Sequence, residues 1–377
     1  MKFQFPVGFQ PFHENNLLNF QLNRWYSLGI FPYAEVEEAA KKIRGFEDAK
    51  NVFKELAEKA IQTDAWLKGA TYLRAAEFFS LGEDPEKGKL YDACMKAYKK
   101  AYSEEPIINE QISYEQGYLP VMRVMSDKES KGWIVLHGGY DSFIQELYPF
   151  CRILVDVGYD VIMFEGPGQG EALNKYGMKL TEQWEKPVTK VLDHYGIDNV
   201  TLLGISLGGY LAARAAAYEK RVQRVILYDI IYDFYQAFLS KVPQKAQEMV
   251  EQFLPLADSP FWKKAEQQIS ENLFSQWLLL HGYHVFGVNT VPQYLKTLQK
   301  YNTKEISKYI TQDVLLLAGE EDIYTQFFEE QKNALINAKS VSGRIFTKSE
   351  SASHHCQIGN IKLAFDYMLE WLEGKRK

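Results

Sequence analysis

The sequence predicts an α/β protein in which a helical domain precedes a mostly parallel, eight-stranded sheet with helices on both faces. Two observations support this fold class. Up to residue 106, apolar residues recur at three- and four-residue spacing with charged residues between them, which is typical of amphipathic helices. From residue 107 onward, short apolar runs alternate with helical stretches, as in a parallel sheet covered by helices. We therefore predict a helical domain over residues 1–106 and a sheet domain over residues 107–377.

Four segments of the first domain have helical periodicity. A Gly-Glu-Asp-Pro junction separates the last two, which suits the end of one helix and the start of another. The succession of helices looks like a repeat, but no fixed internal period is present, so a solenoid is not predicted. The helices are expected at residues 35–42, 46–62, 64–81 and 84–103.

Eight apolar runs of the second domain are strand candidates, enough for a complete sheet. They are bounded by turn residues and lie between stretches with helical periodicity. The strands are expected at residues 112–115, 121–125, 133–136, 160–164, 200–203, 222–228, 314–317 and 343–346.

A long connection separates the sixth and seventh strand candidates. Residues 230–311 exceed the few residues and single helix that normally join neighbouring strands, so we predict an insertion there. Its helical stretches are rich in Phe, Trp and Tyr. We expect them to form a lid that covers the pocket and selects substrate, although packing of a small core would also explain them. The helical stretches are residues 235–253, 260–281 and 290–300.

Composition favours a cytoplasmic enzyme over a protein that binds nucleic acid or membranes. The 377 residues carry a formal net charge of −6, with no dense basic block before the tail at residues 375–377. No apolar run suits a signal peptide or a bilayer span. The three cysteines, an odd number, argue against a disulfide framework. We expect a small-molecule or short-peptide substrate and a helical domain whose surface suits a homodimer.

A candidate nucleophile lies in the sequence Gly-Ile-Ser-Leu-Gly at residues 204–208. This G-x-S-x-G pattern follows a strand candidate and precedes a helical stretch. A sharp turn between strand and helix would expose the hydroxyl of Ser206, and the flanking glycines leave room for that turn. We therefore predict a nucleophile elbow at Ser206.

A second loop can supply donors for a negatively charged oxygen. The third strand candidate runs into His-Gly-Gly-Tyr at residues 137–140, where glycines let the backbone approach a ligand. We expect the first donor to be the N–H of Leu207, directly after the nucleophile. The second is the N–H of Gly139 or of Tyr140, and the sequence leaves this choice open.

An orienting acid is expected after the seventh strand candidate, in Glu-Glu-Asp at residues 320–322. We choose Asp322 because it lies at the carboxyl end of the strand, where the acids of such sites sit. Its glutamate neighbours also fit a solvated acidic loop. Asp229 and Asp233, after the sixth strand candidate, are the reserve candidates.

The general base must follow the acid, and the histidines beyond Asp322 are His354 and His355. Adjacent residues of a loop point in different directions, so only one of them can meet both the serine and the acid. A metal site in His-His-Cys is not favoured because its three ligands are nearly contiguous. His281 and His284 have helical spacing but lie among aromatic residues, which favours packing or pocket lining over zinc binding.

A glycine-rich turn follows the fourth strand candidate at residues 165–171, Glu-Gly-Pro-Gly-Gln-Gly-Glu. Its spacing is G-x-G-x-G rather than the G-x-G-x-x-G of dinucleotide sites, and a proline occupies the turn. We interpret it as a structural turn near the edge of the sheet that carries the site.

Together these motifs resemble the α/β-hydrolases that carry an N-terminal helical domain. That group includes 2,6-dihydroxypseudooxynicotine hydrolase, fermentation/respiration-switch-like esterases, and proteins labelled acylaminoacyl peptidases by similarity to the prolyl oligopeptidase catalytic domain. The resemblance implies Ser206 as nucleophile, Asp322 as acid and His355, directly before Cys-Gln, as base. Glu165 replaces the aspartate usual in the family, and His354 doubles the histidine. The segments that carry the resemblance are residues 112–120, 137–142, 164–171, 204–209 and 354–357.

The expected activity is that of a serine hydrolase that cleaves an ester or an acyl-amino-acid amide or peptide through an acyl-enzyme. This chemistry requires no metal or organic cofactor. A carbon–carbon bond beside the ketone of an aryl substrate offers the same electrophilic carbonyl and is the first alternative. A non-catalytic binding or regulatory protein that kept the fold is the second.

Overall fold

One eight-stranded sheet runs through the computed structural model, which describes residues 1–376. All eight predicted strands are present, and most are longer than predicted. The strands are β1 Ile108–Tyr114, β2 Gly117–Val124, β3 Trp133–His137, β4 Asp160–Phe164, β5 Val200–Ile205, β6 Val222–Tyr228, β7 Asp313–Gly319 and β8 Ser340–Phe346.

The strand order is β1-β2-β4-β3-β5-β6-β7-β8. β2 pairs antiparallel with β1 and β4, and every other pair is parallel, so the predicted mostly parallel sheet is confirmed. Every residue of β4, β5 and β7 is buried, which explains why these strands read as continuous apolar runs. Parallel strands place their carboxyl ends at one edge, where loops can bring distant residues together.

Five helices precede the sheet, of which the sequence predicted the last four. The first was missed because its several asparagines depress helix propensity. The side chain of Asn15 compensates by accepting hydrogen bonds from the N–H groups of Leu17 and Leu18 at the start of the helix. The helices are α1 Asn16–Ser27, α2 Tyr33–Ala40, α3 Phe46–Gln62, α4 Trp66–Phe79 and α5 Lys87–Ala101.

Aromatic packing holds these helices together. Trp25 of α1 is fully buried and lies with its ring centroid 5.7 to 6.3 Å from four phenylalanine rings. Helix α4 is buried from Gly69 to Phe79, including the charged residues Arg74 and Glu77. An entirely buried helix must be covered on all sides, so α4 lies at the contact between the helical region and the rest of the chain.

Between β6 and β7 the chain forms five helices where three helical stretches were expected. Two of the stretches are each divided, the first before Pro243 and the second at Asn272, whose side chain caps the helix that follows. The sheet helices before this region are α6 Tyr148–Asp156, α7 Gly170–Asn174, α8 Glu185–Tyr195 and α9 Gly208–Tyr218. The five helices are α10 Phe234–Leu239, α11 Gln244–Phe253, α12 Phe261–Ser270, α13 Leu273–Phe286 and α14 Val291–Leu298. The chain ends with α15 Phe328–Ala334 and α16 Ile361–Gly374.

The N-terminal region touches the loop between β8 and the last helix, and it also touches the insertion. The N–H of Gly8 donates to the carbonyl of Gly359 at 2.7 Å, and the ring centroids of Phe9 and His354 lie 3.6 Å apart. On the other side, Phe78 of α4 stacks on Trp277 of α13 at 4.6 Å. Within residues 1–376, no helix has the length and apolar character needed to cross a membrane.

Candidate active site

Ser206 lies at the junction of β5 and α9, in a backbone conformation that side-chain-bearing residues rarely adopt. Its φ angle is 62°, and its N–H donates to the carbonyl of Tyr228 at 2.5 Å. Such a conformation costs about 1–3 kcal/mol and is maintained by its surroundings. This is the geometry of the predicted nucleophile elbow.

The glycines around Ser206 allow the close approach of other backbone segments. A Cβ atom added to Gly204 would lie 1.9 Å from the carbonyl oxygen of Gly208. One added to Gly209 would lie 1.8 Å from the carbonyl oxygen of Asp229. Because larger residues cannot fit at either place, this turn requires glycine at positions 204 and 209.

The imidazole of His355 lies between Ser206 and Asp322. Its Nε2 atom is 2.8 Å from the Oγ of Ser206, and its Nδ1 atom is 2.5 Å from Oδ2 of Asp322. Since a carboxylate accepts hydrogen bonds, Nδ1 carries the proton and Nε2 is left to accept one. Hydrogen bonds therefore connect the side chains of residues 206, 355 and 322, although these residues lie far apart in the sequence.

A second carboxylate lies beside the same nitrogen. Oδ2 of Asp229 is 3.3 Å from Nδ1 of His355, and the Asp229 side chain is fully buried. Its two oxygens also accept hydrogen bonds from the N–H of Cys356 at 2.8 Å and from the side-chain amide of Gln357 at 3.0 Å. Asp229 thus fixes the backbone directly after the histidine as well as contacting its ring.

The other reserve acid lies outside this arrangement. Asp233 caps α10 through a hydrogen bond from the N–H of Gln236 and pairs with Lys304 at 2.7 Å. Both contacts are structural, so Asp233 has no carboxylate oxygen directed at the histidine.

The neighbours of Asp322 in the acidic triplet have other partners. Glu320 accepts a hydrogen bond from the N–H of Lys348 at 2.5 Å, and Glu321 accepts one from the hydroxyl of Ser353 at 2.6 Å. The Asp322 side chain is only 4% exposed, whereas that of Glu321 is 38% exposed. Burial beside His355 thus distinguishes Asp322 from the solvated glutamates next to it.

His354 points away from Ser206. Its ring lies on Phe9, and its Nε2 atom is 3.7 Å from the carboxylate of Glu321. Burial lowers the pKa of His354 below its ordinary value. Of the two adjacent histidines, only His355 contacts both Ser206 and Asp322.

Charges within the site shift the pKa values of its members. Burial lowers the pKa of His355, but the carboxylate of Asp322 more than reverses this, so the pKa lies well above 6.5. Burial raises the pKa of Asp322, and the histidine beside it outweighs that effect and lowers it. Burial, with the Asp322 charge, raises the pKa of Asp229 to about 6. Asp322, whose carboxylate is closer to His355 than that of Asp229, is therefore the more firmly ionised of the two.

The backbone N–H groups of Leu207 and Tyr140, both near Ser206, have no hydrogen-bond acceptor among residues 1–376. The N–H of Gly139 instead donates to the hydroxyl of Ser142 at 3.0 Å. Gly139 lies directly against the elbow, because an added Cβ would be 2.6 Å from the nitrogen of Leu207. The predicted loop and the predicted elbow are therefore in contact.

Buried charges from the helical region hold this loop. Arg74 of α4 donates to the carbonyl of Asp141 and, at 2.7 Å, to the carboxylate of Glu146. Arg24 of α1 pairs with the carboxylate of Asp141 at 2.5 Å. Burial opposes ionisation of Asp141, but the two arginines hold its pKa well below the ordinary range. Glu77 completes the partners of Arg74 at 2.7 Å and pairs with Lys87 of α5.

Helix α13 also reaches the loop. The Nε2 atom of His281 is 3.0 Å from the carbonyl oxygen of Tyr140, and burial lowers the pKa of His281 to about 4. The ring of His281 stacks on Trp277 at 4.8 Å, and Phe234 and Phe286 pack around the ring of Tyr140. The insertion thus surrounds Tyr140 with aromatic groups, and His281 has the packing role expected for it.

One group of side chains has the donor atoms of a metal site. The ligand atoms of Asp229, His355 and Cys356 lie within 4.8 Å of one another. However, Nδ1 of His355 is held by Asp322, and Oδ2 of Asp229 accepts the N–H of Cys356. A metal ion bound here would have to displace these hydrogen bonds, one of which holds the imidazole that contacts Ser206.

Sequence reasoning placed the serine, the acid and the base, but missed the contacts that surround them. The 3.3 Å approach of Asp229 to His355 had a signal, since Asp229 directly follows the sixth strand candidate. The arginines of α1 and α4 had none, because their contact with Asp141 depends on how distant helices pack.

Comparison with known proteins agrees with the fold. The sequence matches the family model for the alpha/beta hydrolase fold over residues 134–329, more than half of the chain. Hydrolase LUC6 of a Fusarium species is 29% identical over 343 residues, which cover 82% of this chain and 80% of that protein. The 20-hydroxy-prefusarin hydrolase FUS2 of Gibberella moniliformis is 26% identical over 341 residues, with coverage of 82% and 80%.

Solved structures share the architecture along nearly the whole chain. The 2,6-dihydroxy-pseudo-oxynicotine hydrolase superposes with a TM-score of 0.66 at 19% identity, covering 95% of each chain. Wild-type AbyA5 superposes with a TM-score of 0.70 at 13% identity, covering 96% of this chain and 95% of its own. At these identities the likeness shows the fold, including the N-terminal helices. With the family match, it identifies this chain as a hydrolase of the α/β-hydrolase family.

Proposed function

We propose that the protein is a serine hydrolase that cleaves an ester or an acyl-amino-acid amide through an acyl-enzyme. Ser206 is the nucleophile, His355 the general base and Asp322 the acid that orients the base. The observation that supports this assignment is the position of His355, with one ring nitrogen 2.8 Å from the serine hydroxyl and the other 2.5 Å from the carboxylate.

The reaction follows from these contacts. Nε2 of His355 takes the proton of Ser206 as Oγ attacks the substrate carbonyl, and the protonated imidazole then gives that proton to the leaving group. Asp322 keeps the proton of the neutral imidazole on Nδ1 and stabilises the imidazolium when it forms. Water repeats the sequence on the acyl-enzyme and releases the acid product.

The tetrahedral intermediate needs donors for its oxyanion. We assign these to the N–H groups of Leu207 and Tyr140, because neither has an acceptor within the described part of the chain. The N–H of Gly139 is already engaged by Ser142. Preorganised backbone donors of this kind are among the largest contributions to catalysis in acyl transfer.

The aromatic groups around Tyr140 support an apolar or aromatic small-molecule substrate. Tyr140 belongs to the loop at residues 137–140, here called the oxyanion loop, and its ring contacts Phe234, Trp277 and Phe286 of the insertion. Apolar walls with a few polar groups are typical of small-molecule pockets. A panel of p-nitrophenyl esters, aminoacyl anilides and aryl diketones separates ester, amide and carbon–carbon cleavage on one purified sample.

A fluorophosphonate probe tests the nucleophile. The wild-type protein is expected to become covalently labelled, whereas Ser206→Ala is expected to show no labelling, because the phosphonate reacts with the activated hydroxyl. Labelling is read by intact-protein mass spectrometry. The matched control is Ser270→Ala, which removes an exposed hydroxyl on α12 and should label as the wild type does.

Two results would contradict the proposal. Undiminished labelling of Ser206→Ala would remove Ser206 from the role of nucleophile. A wild-type protein that resists the probe and hydrolyses no member of the panel would instead favour a binding or regulatory function.

The pH dependence of kcat/KM reports the base. His355 must be neutral to accept the serine proton, and its pKa lies above 6.5. The rate is therefore expected to fall as pH decreases through this raised pKa, with an acid limb whose midpoint lies above 6.5. Circular dichroism at each pH controls for acid unfolding. A midpoint below 6 in folded protein would contradict the contact between His355 and an ionised carboxylate.

A further inference from the structure

The glycine-rich turn after β4 contains a buried glutamine that reaches the oxyanion loop. Gln169 is 2% exposed, and its Nε2 atom donates to the carbonyl oxygens of Gly138 at 2.8 Å and Gly139 at 3.0 Å. Its Oε1 atom accepts the N–H of Gly166 at 3.1 Å, which sets which end of the amide faces the loop. Both hydrogens of the amide are therefore directed at two consecutive carbonyls.

These contacts determine the direction of the N–H group that follows. In a trans peptide, C=O and N–H point to opposite sides of the chain, so holding the carbonyl of Gly139 also orients the N–H of Tyr140. The next carbonyl, that of Tyr140, is held at 3.0 Å by His281, and that of Asp141 is held by Arg74. Side chains thus fix four successive peptide planes of a loop rich in glycine.

One of the fixed planes carries the N–H of Tyr140. The N–H of Tyr140 has no acceptor among residues 1–376, whereas that of Gly139 is held by Ser142. Glycine-rich backbone is otherwise free to rotate, so without its carbonyl contacts the Gly139–Tyr140 peptide could turn its N–H away from the elbow. An oxyanion donor contributes fully only when it is oriented before the reaction.

We propose that Gln169 is a positioning residue that holds the Gly139–Tyr140 peptide so that the N–H of Tyr140 stays directed to the oxyanion. This inference rests on the proposed function, because it requires Ser206 to form a tetrahedral intermediate. Gln169 itself touches neither substrate nor nucleophile. We expect its loss to weaken stabilisation of the transition state and binding of transition-state analogues, with little effect on binding of the ground-state substrate.

The experiment compares Gln169→Leu with Gln312→Leu. Gln312 is likewise buried, donates from Nε2 to the carbonyl of Ala216 in the last turn of α9 at 2.8 Å, and accepts the N–H of Thr311 at 2.9 Å. Both substitutions remove a buried amide that bridges two backbone segments. Each variant is measured for kcat and KM on a p-nitrophenyl ester, for inhibition by an aryl trifluoromethyl ketone, and for melting temperature.

The ketone is the readout that a merely structural role would not move. Its carbonyl carbon bonds to Oγ of Ser206, the serine proton passes to His355, and the carbonyl oxygen becomes an oxyanion. For Gln169→Leu we expect kcat and the affinity for the ketone to fall together by about 10- to 100-fold, with KM changed less than about threefold. For Gln312→Leu we expect a lower melting temperature with kcat and ketone affinity unchanged.

The possible outcomes distinguish failure of this inference from failure of the proposed function on which it rests. If folded Gln169→Leu keeps its kcat and its affinity for the ketone, or changes only KM, Gln169 has no positioning role. If Gln169→Leu does not fold, the nearly isosteric Gln169→Glu, which cannot donate to the two carbonyls, is held to the same criteria. Loss of the proposed function would appear instead as a wild-type protein without esterase activity or labelling at Ser206.

Discussion

Replacement of His355 with alanine is expected to lower kcat by about 10⁵- to 10⁶-fold, because loss of the base leaves Ser206 with no group to accept its proton. The contact that is lost joins Nε2 to the serine hydroxyl at 2.8 Å. Substrate binding does not use this nitrogen, so KM is expected to change much less than kcat. Steady-state hydrolysis of an activated ester measures both constants.

His354→Ala is the matched control, since it removes the adjacent imidazole. His354 lies on Phe9 and faces Glu321, so its loss is expected to leave kcat within about threefold of the wild type. The melting temperature of both variants shows whether the loop is intact. If His354→Ala loses turnover while His355→Ala keeps it, the base has been assigned to the wrong histidine.

Replacement of Asp322 with asparagine is expected to lower kcat by about 10³- to 10⁴-fold. An amide in place of the carboxylate no longer stabilises the imidazolium, and it can donate to Nδ1 and so favour the wrong tautomer. Loss of the negative charge also lowers the pKa of His355, so the acid limb of kcat/KM is expected to move to lower pH. Its position in the variant and in the wild type is the measurement.

Asp229→Asn tests how the two carboxylates share His355. Oδ2 of Asp229 is 3.3 Å from Nδ1, against 2.5 Å for Asp322, so the single change is expected to cost about tenfold in kcat. In Asp322→Asn, Asp229 is the remaining carboxylate beside the ring. The double variant loses this carboxylate as well, so it is expected to be less active than Asp322→Asn alone. A larger loss for Asp229→Asn than for Asp322→Asn would reverse the assignment of the acid.

The strands and the residues of the candidate site could be located from the sequence because their signals are local. A buried parallel strand is a continuous apolar run, and a nucleophile elbow has its own short pattern, so Ser206 could be located from its neighbours in sequence. The candidate acid was located by its position after a predicted strand, and the candidate base by its position after the acid. His355 was separated from His354 only by resemblance, and the contact of His354 with Phe9 gives the physical reason.

The remaining features depend on contacts between distant segments. The contact of Gln169 with the oxyanion loop joins the turns after two different strands, and no periodicity encodes it. The approach of Asp229 to His355 depends on how the loops after β6 and β8 meet. Helix α1 was missed for a local reason, since its asparagines weaken the pattern that side-chain capping then restores.

The ionic contacts across α4 make the two halves of the molecule interdependent. Arg24, Arg74 and Lys87 contribute three positive charges, which balance the three carboxylates of Glu77, Asp141 and Glu146. Removing one partner of a buried ion pair costs about 3–5 kcal/mol, because the other charge is left uncompensated. A sheet region expressed alone would keep Asp141 and Glu146 without their counter-ions, next to the peptide that carries the oxyanion donor. Shuffling of these halves between relatives therefore has to transfer the arginines and the acids as one set.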